Sequence, residues 1–282
     1  MIDASPDQYV IKKPICDGIG NVLKSFITAY SVNTHTTIEC NPEFVFGNYD
    51  TVLDSRHIYV PDENQSRHSE FMYTSRLLVL KEEEDLQQHI FSDENAEVHG
   101  CGNNNCNHHF SFKCLIDYNY RSEVLCDKLK ERIWRTIDNI VFHPTIIEKF
   151  NEIYKELTPN TLAISVRTWK SFHETNIQRP YDDETYKEMF SHVLTSHQEI
   201  DKIVISFDNH SVEKEYINYI SRMTTAPIMV LRKDNDINPL QHAIIKMLTL
   251  SRCKYFIGNR ISTFSELVFW FSRCEIKCFP LF

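Results

Sequence analysis

The chain has 282 residues, 42% of them hydrophobic and 24% charged, with a formal net charge of −9. That balance is the one of a folded globular protein, and the length predicts two domains rather than one core. The acidic balance argues against indiscriminate binding to nucleic-acid phosphate or to an anionic membrane. No apolar run approaches the roughly 18 residues of a membrane span, and the N-terminus has no basic-then-apolar leader, so a soluble, cytoplasmic protein is expected. The 9 cysteines are an odd number, and Cys40, Cys253, Cys274 and Cys278 sit alone in apolar segments. They read as small buried hydrophobes of a reducing compartment rather than as disulfide partners.

In chain order, residues 9–14 (YVIKKP) predict a first strand. A turn carrying Asp17, Gly18, Gly20 and Asn21 follows, and then Val22, Leu23, Phe26, Ile27 and Tyr30 recur at helical spacing. With a strand at 37–40 this is a βαβ opening, which implies a parallel sheet. The turn is GxGN, not the full GxGxxG of a dinucleotide fold; its glycines serve either tight packing or close approach to a ligand. Residues 41–64 are irregular apart from a short strand at 57–60. An apolar strand or helix end is expected at 71–80, a long polar excursion at 81–109, and helices at 121–140 and 145–157. Thr158-Pro159-Asn160 stops the last of these.

From there the alternation is regular. Strands are expected at 161–166, 202–207, 227–231, 255–257 and 275–278, and helices at 182–197, 211–223, 239–250 and 263–271. This is an open, doubly wound α/β domain, which binds ligands at the carboxyl ends of its strands. The boundary falls within 140–160, giving domains 1–145 and 146–282.

Chemistry gathers at those strand ends. Arg167 ends the strand at 161–166, with Lys170 and Arg179 beyond it. Asp208-Asn209-His210 ends the next, the run Arg232 to Asp236 the third, and Gly258-Asn259 the fourth. An arginine in such a place either clamps phosphate in a bidentate way or is a surface residue exchanging salt bridges. The stretch 254–271 (KYFIGNRISTFSELVFWF) joins an apolar strand through a glycine turn to a hydroxyl-rich helix start. Helix N-termini hold anions because their first N–H groups lack partners and the dipole is positive there. Ser262 is also an ordinary N-cap, with Glu266 as capping-box mate, so capping and phosphate binding both remain open for this stretch. Phosphate binders and carboxylates at one sheet edge suit a nucleotide diphosphate that carries a sugar.

Metal readings are weaker. Asp234-Asn235-Asp236 has the DxD form of divalent-ion ligands, but it precedes Pro239 and a helix, where acidic residues cap and suit the dipole. Cys101, Cys106, His108, His109 and Cys114 have the composition of a zinc site without its register. No GxSxG, HExxH or Walker A pattern occurs. A hydrolase or a phosphate-driven motor therefore has little support.

Three segments resemble the fucosyltransferase-like glycosyltransferases, which include the α1,6-fucosyltransferases and the protein O-fucosyltransferases. Residues 17–32 (DGIGNVLKSFITAYSV) are similar to the family's glycine turn before the first helix. Residues 162–170 (LAISVRTWK) are similar to its strand ending in H-x-R. Residues 250–268 (LSRCKYFIGNRISTFSELV) are similar to its IGN…SsFs segment. The small soluble form also resembles glycosyltransferases of large algal viruses that build capsid glycans. The resemblance implies a GT-B arrangement, two Rossmann-like domains facing across a cleft. It further implies inversion at the sugar carbon without metal or any other required cofactor, and transfer from a UDP- or GDP-linked sugar to a glycan or glycoprotein acceptor.

Carried over, the resemblance makes Arg167 the partner of the donor β-phosphate. Ser262, Thr263 and Phe264 line the diphosphate, and Gly18, Gly20 and Asn21 approach the donor from the first domain. Lys170, Asp234 and Asn259 join the donor site by position, and Asp17, Asp208 and Asp234 are the carboxylates placed to take an acceptor proton. Ser165 stands where the family has histidine, and Thr168-Trp169 where it has Arg/Gly-Asp. A sugar other than fucose fits these departures, with xylose from UDP-xylose the first expectation and fucose from GDP-fucose the second. The rival readings are a non-catalytic nucleotide- or sugar-binding module of the same fold and an ordinary dinucleotide enzyme, which the incomplete glycine fingerprint disfavours.

Overall fold

The computed structural model describes residues 9–12, 19–32, 34–39, 49–59, 69–72, 127–168, 183–259 and 262–281. The Cys/His cluster of 101–114, Asp17, Gly18, Lys170, Arg179 and the apolar run at 73–80 lie outside these residues. The chain divides into two compact units, Met1–Glu148 with Asn235–Ile244, and Lys149–Asp234 with Ile245–Phe282.

In the first unit, strands β1 (Tyr9–Lys12), β2 (Thr36–Glu39), β3 (Ile58–Tyr59) and β4 (Ser69–Met72) form a parallel sheet in the order β3–β2–β1–β4. Helix α1 (Ile19–Val32) is the crossover between β1 and β2. Its buried stripe, Val22, Leu23, Phe26 and Ile27, is the one that its spacing predicts. The helix begins earlier than expected, so Gly20 and Asn21 belong to its first turn and not to the turn before it. Helix α2 (Asp127–Asp138) packs on α1 and contributes Ile133 and Ile137 to the core. His57 is buried with its ring edge-on to Phe26 and Tyr30, and its Nε2 accepts the Val141 N–H at 3.1 Å. Burial pushes its imidazole below the usual histidine range.

Helix α3 (Pro144–Tyr154) leads into the second unit. There, β5 (Thr161–Val166), β6 (Lys202–Phe207), β7 (Ile228–Val230), β8 (Tyr255–Asn259) and β9 (Lys277–Leu281) form a parallel sheet in the order β7–β6–β5–β8–β9. Near-continuous apolar runs suit strands covered on both faces. Helix α4 (Asp183–Ser196) joins β5 to β6, and α5 (Glu213–Ser221), entered by a 3-10 turn at His210–Val212, joins β6 to β7. Helix α6 (Pro239–Leu250) then leads back past β6 and β5 to β8, and α7 (Thr263–Phe271) leads on to β9.

Right-handed crossovers place α4 and α5 on one face and α6 and α7 on the other. Leu162, Ile164, Val166, Ile203, Ile205, Phe207, Tyr255 and Ile257 accordingly meet Tyr186, Phe190, Tyr216 and Ile220 in one core. The winding reverses between β5 and β8, the switch point where such sheets take ligands. The last strand starts later than its sequence suggests, because Arg273 (φ 57°) and Cys274 (φ 62°) turn the chain out of α7 in left-handed conformations. As an edge strand, β9 tolerates Pro280, which has no N–H to donate.

Candidate active site

The carboxyl ends of β5, β6 and β8 bring together residues far apart in the sequence. At the end of β5 the backbone of Arg167 is held from both sides. Its N–H donates to Tyr186 Oη at 2.8 Å, and the same hydroxyl donates to its carbonyl at 3.3 Å. Tyr186 is fully buried on α4, so the phenol makes a rigid anchor. One residue on, Asp208 Oδ1 accepts the Thr168 N–H at 3.0 Å and the Thr168 hydroxyl at 3.3 Å. The N–H of Asp208 in turn donates to the Val166 carbonyl at 3.2 Å. The end of β6 is thereby tied to the end of β5, and the Asp208 carboxylate serves as the tie.

Lys246, on α6, donates from Nζ to the Phe207 carbonyl at 3.1 Å. Burial pushes its ammonium down to about 8, with the Asp208 carboxylate pulling the other way. Beyond β7, Arg232 is committed to Glu213: Nε donates to Oε1 at 3.1 Å, with Nη2 on the same oxygen. His210 Nδ1 lies 3.0 Å from Glu213 Oε2, and the arginine first, then the histidine, hold the Glu213 carboxyl below its usual range. Asp234 pairs with Lys149 at 3.3 Å. Among the described residues no cluster of three or more His, Cys, Asp or Glu could hold a metal ion.

At the end of β8, Asn259 is buried and its carbonyl accepts the Ser262 N–H at 3.1 Å. Ser262 is the N-cap of α7, and its side chain accepts the Ser265 N–H at 3.4 Å. Ser265, not Glu266, therefore holds the third helical position, and the expected capping box with Glu266 is not formed; the Glu266 N–H donates to the Ser262 carbonyl at 3.0 Å. Thr263 and Phe264 open the helix, half-buried. Gly258 has no room for a side chain: a Cβ there would lie 2.5 Å from the Phe256 ring and 3.1 Å from Ser265 Oγ. The strand end and helix start are thus packed tightly together, with the first N–H groups of α7 at the carboxyl edge of the sheet.

Of the predicted site residues, Arg167, Asp208, Asn259, Ser262, Thr263 and Phe264 share this edge, and Asp234 lies past the end of β7. Gly20 and Asn21 lie in the first unit. Tyr186 and Lys246 were missed by the sequence reading. Tyr186 belongs to the buried stripe Tyr186, Phe190, Val193 and reads as core. Lys246 did carry a signal, the lone charge in AIIKMLTL.

No protein-family model matches the chain, and no curated protein sequence matches it. Solved structures do. The apo form of POFUT1 superposes with a TM-score of 0.51 at 11% identity, covering 99% of both chains. POFUT1 in complex with GDP-fucose gives a TM-score of 0.52 at 10% identity, covering 98% of this chain and 99% of that one. The fucosyltransferase NodZ from Bradyrhizobium gives 0.51 at 15% identity, over 96% and 94%. At such identities the likeness is one of fold: the chain has the α/β fold of these fucosyltransferases.

Proposed function

We propose that this chain is a glycosyltransferase that moves a sugar from a nucleotide diphosphate donor to a glycan or glycoprotein acceptor, with inversion and without metal. The observation that carries this reading is that β5, which ends just before Arg167, and β8, which leads to the α7 N-terminus, are neighbours at the switch point of the sheet. The likeness of fold to proteins whose structures contain GDP and GDP-fucose supports it.

As the bond between the sugar carbon and the β-phosphate oxygen breaks, negative charge grows on the departing diphosphate. Arg167 and the first N–H groups of α7, with Ser262, Thr263 and Phe264 around them, stabilise that charge. The Tyr186 anchor keeps Arg167 in place, so little reorganisation accompanies the step. The acceptor hydroxyl attacks from the opposite side of the sugar carbon. Asp17 and Asp208 are the carboxylates proposed for its proton, the second also accepting from Thr168. Asn259, Asp234 and Lys170 complete the donor side, residues 146–282 forming the donor domain. Residues 1–145 form the acceptor domain, to which Gly18, Gly20 and Asn21 belong. Ser165 and Thr168-Trp169 favour a pentose, xylose from UDP-xylose, over fucose from GDP-fucose.

The test is a thermal-shift panel of UDP, GDP and their sugars, followed by transfer assays with wild type and Arg167→Ala. One nucleotide should raise the melting temperature in proportion to the logarithm of its concentration over Kd. Arg167→Ala should lower transfer at least about 10²-fold while the unliganded protein melts as before. Transfer at the wild-type rate by the variant, or no shift with any nucleotide, refutes the proposal.

A further inference from the structure

The face of the second sheet that α6 covers changes character toward the carboxyl edge. Leu162, Ile164 and Val166 of β5, and Ile203, Ile205 and Phe207 of β6, belong to the core under α4 and α5. Side chains alternate along a strand, so the intervening residues face α6. Their rows are Ala163 beside Val204, then Ser165 beside Ser206, and then Arg167 and Asp208 just past the strand ends. An apolar row gives way to a hydroxyl row and then to a charged one.

Lys246 reaches this face from α6. Helical side chains lean toward the helix N-terminus, and α6 runs antiparallel to the strands, so its stem points to the carboxyl edge. Ile244, Ile245, Met247, Leu248 and Leu250 around it are all buried. Methionine would pack in such a helix without the cost of a desolvated charge. The ammonium is held at 3.1 Å on the Phe207 carbonyl, between the serine row and Asp208. An ammonium has three protons to donate, and this is its single hydrogen bond among the described residues.

Resting on the glycosyltransferase reading, we propose that Lys246 is a donor-binding residue, whose ammonium donates to an acceptor oxygen of the nucleoside diphosphate bound at the β5/β8 switch point. The oxygen belongs either to the diphosphate or to the nucleoside half. The two sources share one chemistry and are separable by experiment. Burial, which holds the ammonium near 8, also leaves part of the lysine as a neutral amine at mildly alkaline pH, so its reactivity reports directly on occupancy.

The experiment is calorimetric titration of wild type, Lys246→Met and Lys246→Arg with UDP, GDP and inorganic pyrophosphate. Lys246→Met should weaken the nucleotide that wild type prefers by about ten- to a hundredfold, the range for a hydrogen bond to a charged group. Lys246→Arg should recover part of the loss. An equal loss for pyrophosphate identifies the diphosphate as the acceptor, and undiminished pyrophosphate binding identifies the nucleoside half. In wild type, the same nucleotide should protect Lys246 from acetic anhydride at pH 8, read by mass spectrometry, which tests the contact even if the methionine variant does not fold. Nucleotide binding by Lys246→Met at wild-type strength, or acetylation unchanged by saturating nucleotide, overturns the assignment. Failure of wild type to bind any of the three ligands overturns the glycosyltransferase reading as well.

Discussion

The two edges of the β5–β9 sheet are both rich in polar groups, but they use them differently. At the amino ends of β8 and β9, side chains pair with one another. Tyr255 Oη donates to Glu199, His197 lies 3.2 Å from the same carboxylate and stacks on Tyr255 at 4.8 Å, and Lys277 Nζ lies 3.2 Å from the other ring nitrogen of His197. Lys254 Nζ donates to Asn160 at 2.9 Å nearby. At the carboxyl ends of β5, β6 and β8, side chains grip backbone: Tyr186 on Arg167, Asp208 on Thr168, Lys246 on the Phe207 carbonyl, Ser262 on the Ser265 N–H, whereas past β7 Arg232, Glu213 and His210 pair with one another. A set of mutual pairs contributes stability and leaves nothing to offer a ligand. Side chains that fix backbone instead shape a site in advance of its ligand.

The sharpest test of this contrast is at Asp208. As a brace it needs only an acceptor oxygen, which asparagine keeps. Asp208→Asn should hold kcat/KM within about fivefold, whereas Asp208→Ala should lose about ten- to a hundredfold, a hydrogen bond or two to the loop carrying Arg167. Were Asp208 the proton acceptor, asparagine would fall as far as alanine, by about 10²–10⁴, and the acid limb of the pH profile would go with it. Next comes Tyr186→Phe, which removes only the hydroxyl. A loss of about 1 kcal/mol in stability is expected from denaturant melts. With the fold retained, kcat should drop more than KM rises, because Arg167 acts mainly on the charge that develops during bond breaking. A variant that is less stable but turns over normally would reduce Tyr186 to core packing.

The smallest effects are those of pH: stability rises with pH at both edges, but in different windows and for opposite reasons. The Tyr255 hydroxyl foremost holds the Glu199 carboxyl near 2, well below its ordinary 4.5. Its stabilising contribution is complete above about 4.5 and fades as the pH falls through 2. Glu199→Gln should flatten the acid slope of the melting temperature over that window and leave transfer untouched. Lys246 acts in a higher window, and there it is the charged form that the fold disfavours. Its charge is disfavoured in the folded state, so the unliganded protein should gain stability as the pH rises from about 8 toward the ordinary lysine value of 10.5, a gain absent in Lys246→Met. Melting curves against pH with and without nucleotide separate the two edges, since only the second should respond to ligand.

Much of this was legible in the chain itself. Helical and strand periodicities depend on neighbours a few residues apart, and the bounds of β5, β6, α6 and α7 follow from them directly. So does the place of Ser262 as a cap, since the cap and the N–H that it accepts are three residues apart. The parallel order places every strand's carboxyl end on one edge, and hence Arg167, Asp208 and Ser262 together. The sequence could not show what those residues hold. Tyr186 meets Arg167 across 19 positions, Lys246 meets Phe207 across 39, and Asp208 meets Thr168 across 40. Such partners depend on strand order, register and the face each crossover covers, which only the packed sheet decides. The same packing made Asp208 a tie between strands and left a lysine half-buried at the end of β6, because where a charge comes to rest is a matter of tertiary structure.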